Sequence, residues 1–268
     1  MTLKEERIVG LLRELKEKYG IVAVKGEFEA EGASYRELVN LRNITLRAGV
    51  DLVFKIGGCE AISDLCAARE VGVDAVVAPM IESPFAAKKF FGAVDTVCSS
   101  SGFRPDILLN IETADGVDRV EQIFALEQAR SLSGVDIGRM DMAGSYGLTG
   151  DGANSETVFT ACVRIGTAWR KLYADKPCTV GGPLSSPTVD FLRRLSEHFP
   201  VQCESKKVVF SQQTVASNYL KDAFIKAIAF EMLWYELCLD YYSVLRSENW
   251  GYFAKLASLS EALENKRF

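Results

Sequence analysis

Two acidic residues follow apolar segments that have the composition of buried β-strands. Glu112 ends the segment "ILLNIE", and Asp141 follows the segment "VDIGRM". Two carboxylates on neighbouring strands, with the remaining coordination positions open to water and substrate, suit Mg²⁺ or Mn²⁺. Each acid could instead cap the helix that follows it, or pair with Arg139 or Lys55. The pattern alone leaves a metal site and a purely structural role equally open.

Repeated strand–helix units would bring these acids to one face of the molecule. Apolar runs with β-branched residues alternate with helical patterns along most of the chain. Seven strands are predicted, each followed by a helix, at residues 21–28, 50–58, 73–80, 106–112, 134–139, 178–182 and 201–210. Repeated β/α units in about 250 residues favour a (β/α)8 TIM barrel over an open doubly wound sheet. No GxGxxG motif follows the first strand, which weakens the dinucleotide-binding alternative.

The two ends of the chain are predicted to be helical. Residues 1–20 have a charged amphipathic pattern, and residues 211–268 form a long C-terminal helical segment. The eighth strand is not apparent; it could lie within residues 5–20 or be absent. We therefore predict a single TIM-barrel domain over residues 1–268, with the barrel core at 21–210. The extensive apolar surface of the C-terminal segment favours contact with a second copy, so a homo-oligomer is expected.

Polar residues gather where the predicted strands end. In a β/α barrel the carboxyl ends of the strands converge on one mouth, where the chemistry takes place. The residues expected there are Lys25, Glu27, Lys55, Glu82, Asn110, Glu112, Arg139, Asp141, Glu204, Lys206 and Lys207. Gly57 and Gly58 directly follow one of these strand ends and could bring backbone N–H groups close to an anionic ligand. A requirement for stability alone would not concentrate charge at the ends of otherwise apolar strands.

The composition restricts the possible partners. The chain has 268 residues, of which 48% are apolar and 25% charged, as in an ordinary globular protein. The net charge of -5 argues against nucleic acid as the main partner. The most apolar long segment, 223–242, contains four charged residues, so no membrane span is expected. Seven cysteines without a CxxC motif suggest reduced thiols in a cytoplasmic enzyme, and the single histidine, His198, is expected outside the site.

Four segments resemble the HpcH/HpaI aldolase and citrate lyase β-subunit family. They are "KGEFEAEG", "KIGGCEAISDLCAAREVGVDAVVAPMIESPFAAKKF", "LLNIETADGV" and "IGRMDMAGSYGL". The resemblance implies a phosphoenolpyruvate/pyruvate-type barrel with divalent-metal-dependent lyase or aldolase activity on carbon–carbon bonds. It also implies that Glu112 and Asp141 are the metal ligands and that Asn110 is a polar position before the metal glutamate. Lys55 stands where the family usually has an arginine.

Two positions depart from the family pattern. The aldolase branch carries a histidine base after a Gly-Glu step at the end of an early strand, and Phe28 occupies that position here. Lys55 lacks the planar fork with which an arginine grips a carboxylate through two hydrogen bonds. The acid–base residues of the best-known aldolases are therefore not present in the same form, and the substrate and reaction direction stay open.

The resulting prediction is a lyase that makes or breaks a carbon–carbon bond next to a 2-oxo acid, with an aldehyde as the other reactant. Mg²⁺ or Mn²⁺ would act as a Lewis acid for a pyruvate-like enolate. Lys55 would stabilise the substrate anion, Glu27 is the first candidate for the general base and Glu82 the second; a metal-bound water is also possible. The predicted substrate-binding residues are Gly57, Gly58, Asn110, Arg139 and Ser145.

Three other functions remain open. Lys55 or Lys25 could form a Schiff base with the oxo acid in a metal-free aldolase. An acyl-CoA lyase of the citryl- or malyl-CoA type would need a basic groove for the CoA phosphates, and no stretch of the sequence clearly provides one. A catalytically degenerate barrel could serve as a binding or assembly subunit; the missing histidine favours this function, and the retained carboxylates oppose it.

Overall fold

Eight strands close a barrel in sequence order. The computed structural model of the chain describes residues 2–29, 31–99 and 101–264, with side chains as far as Ser243. The strands are β1 (Ile21–Glu27), β2 (Asp51–Lys55), β3 (Ala75–Ala78), β4 (Asp106–Ile111), β5 (Gly134–Gly138), β6 (Cys178–Gly181), β7 (Gln202–Glu204) and β8 (Val208–Phe210). The barrel predicted from the alternation of strand and helix patterns is thereby confirmed.

Helices surround the barrel and extend beyond it. They are α1 (Leu3–Tyr19), α2 (Tyr35–Ala48), α3 (Ile62–Val71), α4 (Pro84–Cys98), α5 (Ala114–Asp118), α6 (Val120–Phe124), α7 (Arg139–Ser145), α8 (Glu156–Leu172), α9 (Ser186–Ser196), α10 (Gln212–Val215) and α11 (Leu220–Glu264), with 3-10 helices at Glu127–Ser131 and Gly152–Asn154. The predicted C-terminal helical extension is confirmed by α11, and α1 occupies most of the predicted N-terminal segment; residues 1 and 265–268 of these predictions lie outside the described residues. None of the described helices combines the length and the apolar character that a membrane crossing requires.

The eighth strand differs from the prediction. Strands β1 to β7 pair in parallel, whereas β8 is antiparallel to both β7 and β1. The expectation that this strand lies within residues 5–20 or is absent was wrong, because α1 occupies that segment. The predicted strand 201–210 is instead two short strands, since the polar residues Ser205 to Lys207 turn the chain back on itself. The turn is closed by a hydrogen bond from the backbone N of Ser205 to the O of Val208, at 2.9 Å.

Local sequence signals explain where the helices begin and end. Thr2 and Ser34 each form a capping box with a glutamate three residues later, which satisfies free N–H groups in the first turn of α1 and α2. Gly20, Gly49 and Gly72 end α1, α2 and α3 in the left-handed backbone region that glycine adopts without strain. The resulting short connections return the chain to the next strand and keep the carboxyl ends of β1 to β7 on one face.

The interior of the barrel is polar, whereas TIM barrels usually fill theirs with layers of branched apolar side chains. Alternate residues of each strand face inward, and the buried polar ones are Lys25, Glu27, Lys55, Asn110, Asp136, Thr179 and Glu204. The residues between them, such as Val24, Phe54 and Leu109, face the helices and form the apolar core. Because the outer layer supplies the hydrophobic stabilisation, the inner layer is free to carry chemical groups.

Helix α11 reaches the mouth of the barrel. It has 45 residues and is therefore about 68 Å long, and its first part packs against α1. The Glu231 carboxylate accepts hydrogen bonds from the Ser205 hydroxyl and from the backbone N of Lys207, the latter at 2.9 Å. These bonds fix the helix to the turn between β7 and β8. A segment distant in sequence thus forms part of the mouth.

Candidate active site

A cavity of about 490 Å³ opens at the carboxyl ends of the strands, and we call it the mouth cavity. Its lining includes the charged residues Lys25, Glu27, Glu29, Lys55, Glu112, Arg139, Asp141, Glu204, Lys206 and Glu231. Of the site residues predicted from the sequence, Glu27, Lys55, Asn110, Glu112, Arg139 and Asp141 line it. Glu82, Gly57, Gly58 and Ser145 are not among its lining residues. The mouth cavity thus brings together both predicted metal ligands.

Glu112 is the most deeply buried acid of the mouth cavity, with 1% of its surface exposed. It directly follows β4, and its Oε2 accepts hydrogen bonds from Asn110 Nδ2 at 2.7 Å and from Lys55 Nζ at 3.1 Å. Its Oε1 accepts from the backbone N of Met80 at 2.9 Å. Burial raises the pKa of Glu112 to about 7, because the Lys55 ammonium and the Met80 amide offset only part of the desolvation. Oε1 therefore accepts one hydrogen bond and Oε2 accepts two.

The backbone at Met80 is unusual. Met80 has a φ of 49°, in the left-handed region that non-glycine residues seldom adopt. This conformation costs free energy, and it presents the amide N–H to the Glu112 carboxylate. Strained residues of this kind cluster at functional sites, where the surrounding structure holds them in place. The strain at Met80 therefore supports a functional role for Glu112 beyond that of a helix cap.

Lys55 lies between two carboxylates at the end of β2. Its Nζ is 2.6 Å from Glu29 Oε2 and 3.1 Å from Glu112 Oε2. Burial by itself would lower the pKa of Lys55, but the charges of Glu112 and Glu29 outweigh it, so the pKa is raised. Lys25 pairs with Glu204, and its pKa is raised in the same way against the effect of burial. Both lysines are therefore held as ammonium ions.

An unpaired acceptor lies beside Glu112. The side-chain oxygen Oδ1 of Asn110 is buried and has no hydrogen-bond partner among the described residues. Asn110 uses its amide nitrogen for Glu112, so this orientation leaves the oxygen free. A Cβ added to Gly138 on β5 would lie 2.5 Å from Glu112 Oε2 and 3.4 Å from Asn110 Oδ1. Both oxygen groups thus pack against bare backbone, and a buried acceptor of this kind is costly unless a ligand or water satisfies it.

The oxygen atoms at this end of the mouth cavity fit a hard divalent cation. Asp141 is exposed in the first turn of α7, and it lines the same cavity as Glu112 and Asn110. No histidine or cysteine lines the cavity, which disfavours zinc. Within residues 2–29, 31–99 and 101–243, no three His, Cys, Asp or Glu side chains are grouped closely enough to hold a metal by themselves. Mg²⁺ commonly binds through one or two carboxylates and completes its shell with water and substrate, so this donor set fits.

Arg139 lines the mouth cavity, but its guanidinium is engaged elsewhere. It donates hydrogen bonds to the O of Gly181 at 3.0 Å, to Asn154 Oδ1 at 2.6 Å and to the O of Pro183 at 3.2 Å. It also lies 5.0 Å from the ring centroid of Phe191. These contacts hold the loop after β6. Any effect of Arg139 on a ligand would therefore act largely through the position of that loop.

Two of the predicted residues are turned away from the mouth cavity by their loops. The backbone N of Gly57 donates to Asp64 Oδ2 at 2.7 Å, so this amide already has an anionic partner within the chain. Glu82 has an exposed side chain, and its backbone O accepts a hydrogen bond from Arg119 at 3.3 Å. The ends of the predicted strands correctly located several residues of the mouth cavity. Gly57 and Glu82 lie in the loops after the strands, and the conformation of these loops directs them away from the cavity.

Ser145 connects the two acid-bearing segments. Its hydroxyl accepts a hydrogen bond from the backbone N of Ala114 at 2.9 Å and donates to the O of Met142 at 2.8 Å. Ala114 is two residues beyond Glu112, and Met142 follows Asp141. The hydroxyl thus ties the loop after β4 to α7 and helps to fix the separation of the two carboxylates.

Glu29 and Glu231 line the mouth cavity and Asp136 lies below it, and none of the three was predicted from the sequence as a site residue. Glu29 lies two residues beyond Glu27, and the alternation that turns Lys25 and Glu27 inward could have located it. The same alternation could have located Asp136, since it lies in the middle of β5, two residues from each of the inward-facing Gly134 and Gly138. Nothing in the sequence connects Glu231 with the barrel, because it lies on α11 and reaches the site only through tertiary packing.

Asp136 is a buried acid below the mouth cavity, with 4% of its surface exposed. Burial raises its pKa from 3.8 to about 8; the Glu204 charge adds to this rise and Lys25 opposes it. The smaller effects come from Lys55, which lowers the pKa, and Glu112, which raises it. The raised pKa favours the protonated form of Asp136.

This raised pKa predicts a pH-dependent stability difference. An acid whose pKa is higher in the folded state contributes stability below its unfolded value, and that contribution is lost as the pH rises through the folded value. We expect the unfolding free energy of Asp136→Asn, minus that of the unsubstituted protein, to grow between pH 3.8 and about 8. The slope approaches about 1.4 kcal/mol per pH unit. Urea unfolding of both proteins across this range measures it, and a difference that does not change with pH would contradict the prediction.

Comparisons with known proteins support the resemblance inferred from the sequence. The model of the HpcH/HpaI aldolase/citrate lyase family matches residues 57–174. No curated protein sequence matches the chain. Similar solved structures include a family protein from Burkholderia cenocepacia J2315, with 17% identity, 85% of this chain and 91% of that chain covered, and a TM-score of 0.59.

Two further structures share the fold. The HpcH/HpaI aldolase from Desulfitobacterium hafniense DCB-2 has 13% identity, with 76% of this chain and 83% of that chain covered and a TM-score of 0.58. Macrophomate synthase has 16% identity, with 83% and 90% covered and a TM-score of 0.52. The match over residues 57–174 and the shared barrel confirm the resemblance of this chain to the HpcH/HpaI aldolase/citrate lyase family.

Proposed function

We propose that the protein is a divalent-metal-dependent aldolase or lyase that makes or breaks the carbon–carbon bond next to a 2-oxo acid. The observation that carries this proposal is the buried cluster of Glu112, Asn110 and Lys55, which lines the same cavity as Asp141. The match to a family of aldolases and citrate lyases supports carbon–carbon bond chemistry. The small molecules would be a pyruvate-like 2-oxo acid and an aldehyde.

Glu112 and Asp141 would hold Mg²⁺ or Mn²⁺, and the bound cation would supply Lewis-acid stabilisation of the enolate charge. The free Oδ1 of Asn110 would accept a hydrogen bond from a bound water or from a substrate hydroxyl. The Lys55 ammonium, fixed between Glu29 and Glu112, would attract the substrate carboxylate. Because Lys55 and Lys25 are paired with carboxylates, they lack the free amine that a Schiff base requires, which supports the metal route.

Glu27 is the general base in this proposal. It is 7% exposed, it lines the mouth cavity, and its Oε1 lies 3.5 Å from Lys206 Nζ. During cleavage it would take the proton from the hydroxyl of the carbon that becomes the aldehyde, and the electrons of the broken bond would remain on the oxo acid as an enolate. Phe28 packs edge-on against Phe54, with ring centroids 4.7 Å apart, and does not line the mouth cavity.

The charge of the lining disfavours the acyl-CoA alternative. Six carboxylates line the mouth cavity against four basic side chains: Glu27, Glu29, Glu112, Asp141, Glu204 and Glu231 against Lys25, Lys55, Arg139 and Lys206. A divalent cation would offset the excess of two negative charges, whereas the phosphates of CoA would add to it. A free 2-oxo acid therefore fits better.

The test of the proposed function measures pyruvate released from 4-hydroxy-2-oxo acids. We expect EDTA to remove the activity and Mg²⁺ or Mn²⁺ to restore it. Borohydride added together with pyruvate should leave the protein mass unchanged. A borohydride-dependent adduct on Lys55 or Lys25 would support the Schiff-base route instead. If neither cation binds and no pyruvate is released, the proposed function is contradicted and the degenerate-barrel alternative is favoured.

We also propose a homo-oligomer that forms through α11. Ile225, Met232 and Leu239 are 63%, 60% and 67% exposed and recur every seven residues, so they form an exposed apolar stripe along the helix. Leu239→Lys should therefore shift the protein towards the monomer in analytical ultracentrifugation. Ile62→Lys on α3 is the control, because Ile62 is an exposed apolar residue outside this stripe. A monomer for the unsubstituted protein would contradict the proposal.

The cysteines support a reducing compartment. All seven cysteines are free, and Cys98, Cys162, Cys178 and Cys203 are buried. Proteins of the cytoplasm keep their thiols reduced. We therefore propose a cytoplasmic location.

A further inference from the structure

One side of the mouth cavity is apolar. Met140, Pro183, Leu184 and Ile228 line it, and we call these four residues the apolar wall. They come from the start of α7, from the loop after β6 and from α11. Strands β5 and β6 are neighbours in the barrel, and α11 packs against α9, which follows that loop. The apolar wall is therefore formed by adjacent elements, and β5 and β6 lie across the barrel from β1 and β2, which end at Glu27 and Lys55.

The apolar wall exposes surface that has no partner within the described chain. Met140 is 53% exposed and Ile228 is 43% exposed. Single exposed apolar residues are common on protein surfaces, but these two share a concave cavity with the predicted catalytic groups. Apolar side chains in such a cavity contribute binding energy when a ligand covers them.

The volume of the mouth cavity also exceeds the needs of a three-carbon oxo acid. Its 490 Å³ lies within the range of about 300–1,000 Å³ that holds drug-sized ligands. Pyruvate at Lys55 and Glu112 would leave most of this space for the second reactant. Arg139, which directly precedes Met140, donates hydrogen bonds to the loop that carries Pro183, so it offers little to an anionic group there.

We propose that the apolar wall binds the carbon chain of the aldehyde, so that the preferred substrates are 4-hydroxy-2-oxo acids with an apolar group on the hydroxyl carbon. This inference rests on the proposed function and names its substrate class. The driving force is the removal of the aldehyde's carbon chain from water, and each methylene buried against the apolar wall increases the affinity about fourfold.

The test is a calorimetric titration of the Mn²⁺-loaded protein with straight-chain 2-oxo acids of increasing length, from pyruvate to 2-oxohexanoate. We expect affinity to rise about fourfold per added methylene. Ile228→Asn should reduce this gradient to less than about twofold per methylene, and Met140→Asn provides a second variant that changes the same wall. Leu172→Asn, at the far end of α8 and 52% exposed, is the matched control and should keep the gradient.

Two results separate failure of the inference from failure of the proposed function. The proposal that the apolar wall binds the carbon chain would be contradicted by either of two results. One is pyruvate binding without an increase in affinity with chain length, and the other is an increase that Ile228→Asn and Met140→Asn both retain. If pyruvate does not bind, the oxo-acid site is wrong, and saturation-transfer NMR with 1-hexanol then tests the wall alone. Contacts to hexanol that are lost in Ile228→Asn would support the wall, and contacts unchanged by this substitution would overturn it.

Discussion

Glu112→Gln is expected to abolish the cation-dependent binding of pyruvate while the barrel stays folded. The amide has the same volume, and it can still accept a hydrogen bond from the backbone N of Met80. It lacks the charge that a divalent cation requires, and it leaves the Lys55 ammonium with Glu29 as its carboxylate partner. Because changes to groups that merely support metal ligands cost about 10–100-fold, we expect loss of a ligand to cost at least 100-fold in Mn²⁺ affinity.

Calorimetry with Mn²⁺ and pyruvate measures this effect, and thermal unfolding monitors the fold. Asp115→Asn is the control, since this exposed acid lies three residues further along the same segment and pairs with Arg119 at 2.8 Å. It should bind the cation as the unsubstituted protein does. Retention of Mn²⁺ and pyruvate affinity in Glu112→Gln would remove the basis of the metal site.

Gly138→Ala is expected to lower kcat/KM strongly without removing any functional group. The new Cβ would lie 2.5 Å from Glu112 Oε2 and 2.8 Å from Glu112 Cβ, so the carboxylate or β5 must move. A displacement of about 1 Å in a catalytic site can cost about 100-fold in rate. We expect a loss of this size in kcat/KM, together with a lower unfolding temperature from the crowded contact.

Gly144→Ala provides the matched control for this substitution. Gly144 lies on α7, and a Cβ there would meet no atom within 4 Å. Alanine within a helix is more favourable than glycine by roughly 0.5–1 kcal/mol, so this variant should be slightly more stable and fully active. Equal losses in the two variants would show that contact with Glu112 is not the cause.

The strands that carry the site could be predicted because their side chains have simple patterns. The predicted strand 106–112 corresponds to β4 at Asp106–Ile111, with Glu112 directly after it. The hairpin of β7 and β8 could not be recognised, because each strand has only three residues and the turn between them contains neither glycine nor proline. A three-residue strand gives too little alternation to be distinguished from its neighbour.

The sequence predicted the positions of side chains at the strand ends more accurately than the positions of groups in the loops. Lys55 and Glu112 face the mouth because the alternation of a strand fixes their direction. Gly57 is only two residues beyond β2, yet its amide turns to Asp64, since loop conformation depends on contacts that spacing does not encode. Ile228 and Glu231 were beyond prediction for a related reason, because the packing of α11 over the mouth is decided by tertiary contacts.

Closure of the barrel joins segments that the ribosome makes far apart in time. β1 pairs with β8, and Lys25 bonds Glu204 across 179 positions of the chain. Contacts of such long range form slowly in folding, and β1 keeps an unpaired edge until the residues near 210 have been synthesised. Nascent or truncated chains that end before this hairpin therefore lack both a sealed sheet and the paired charges of the cavity. Biosynthesis thus delays any reactivity of the cavity until the barrel is complete.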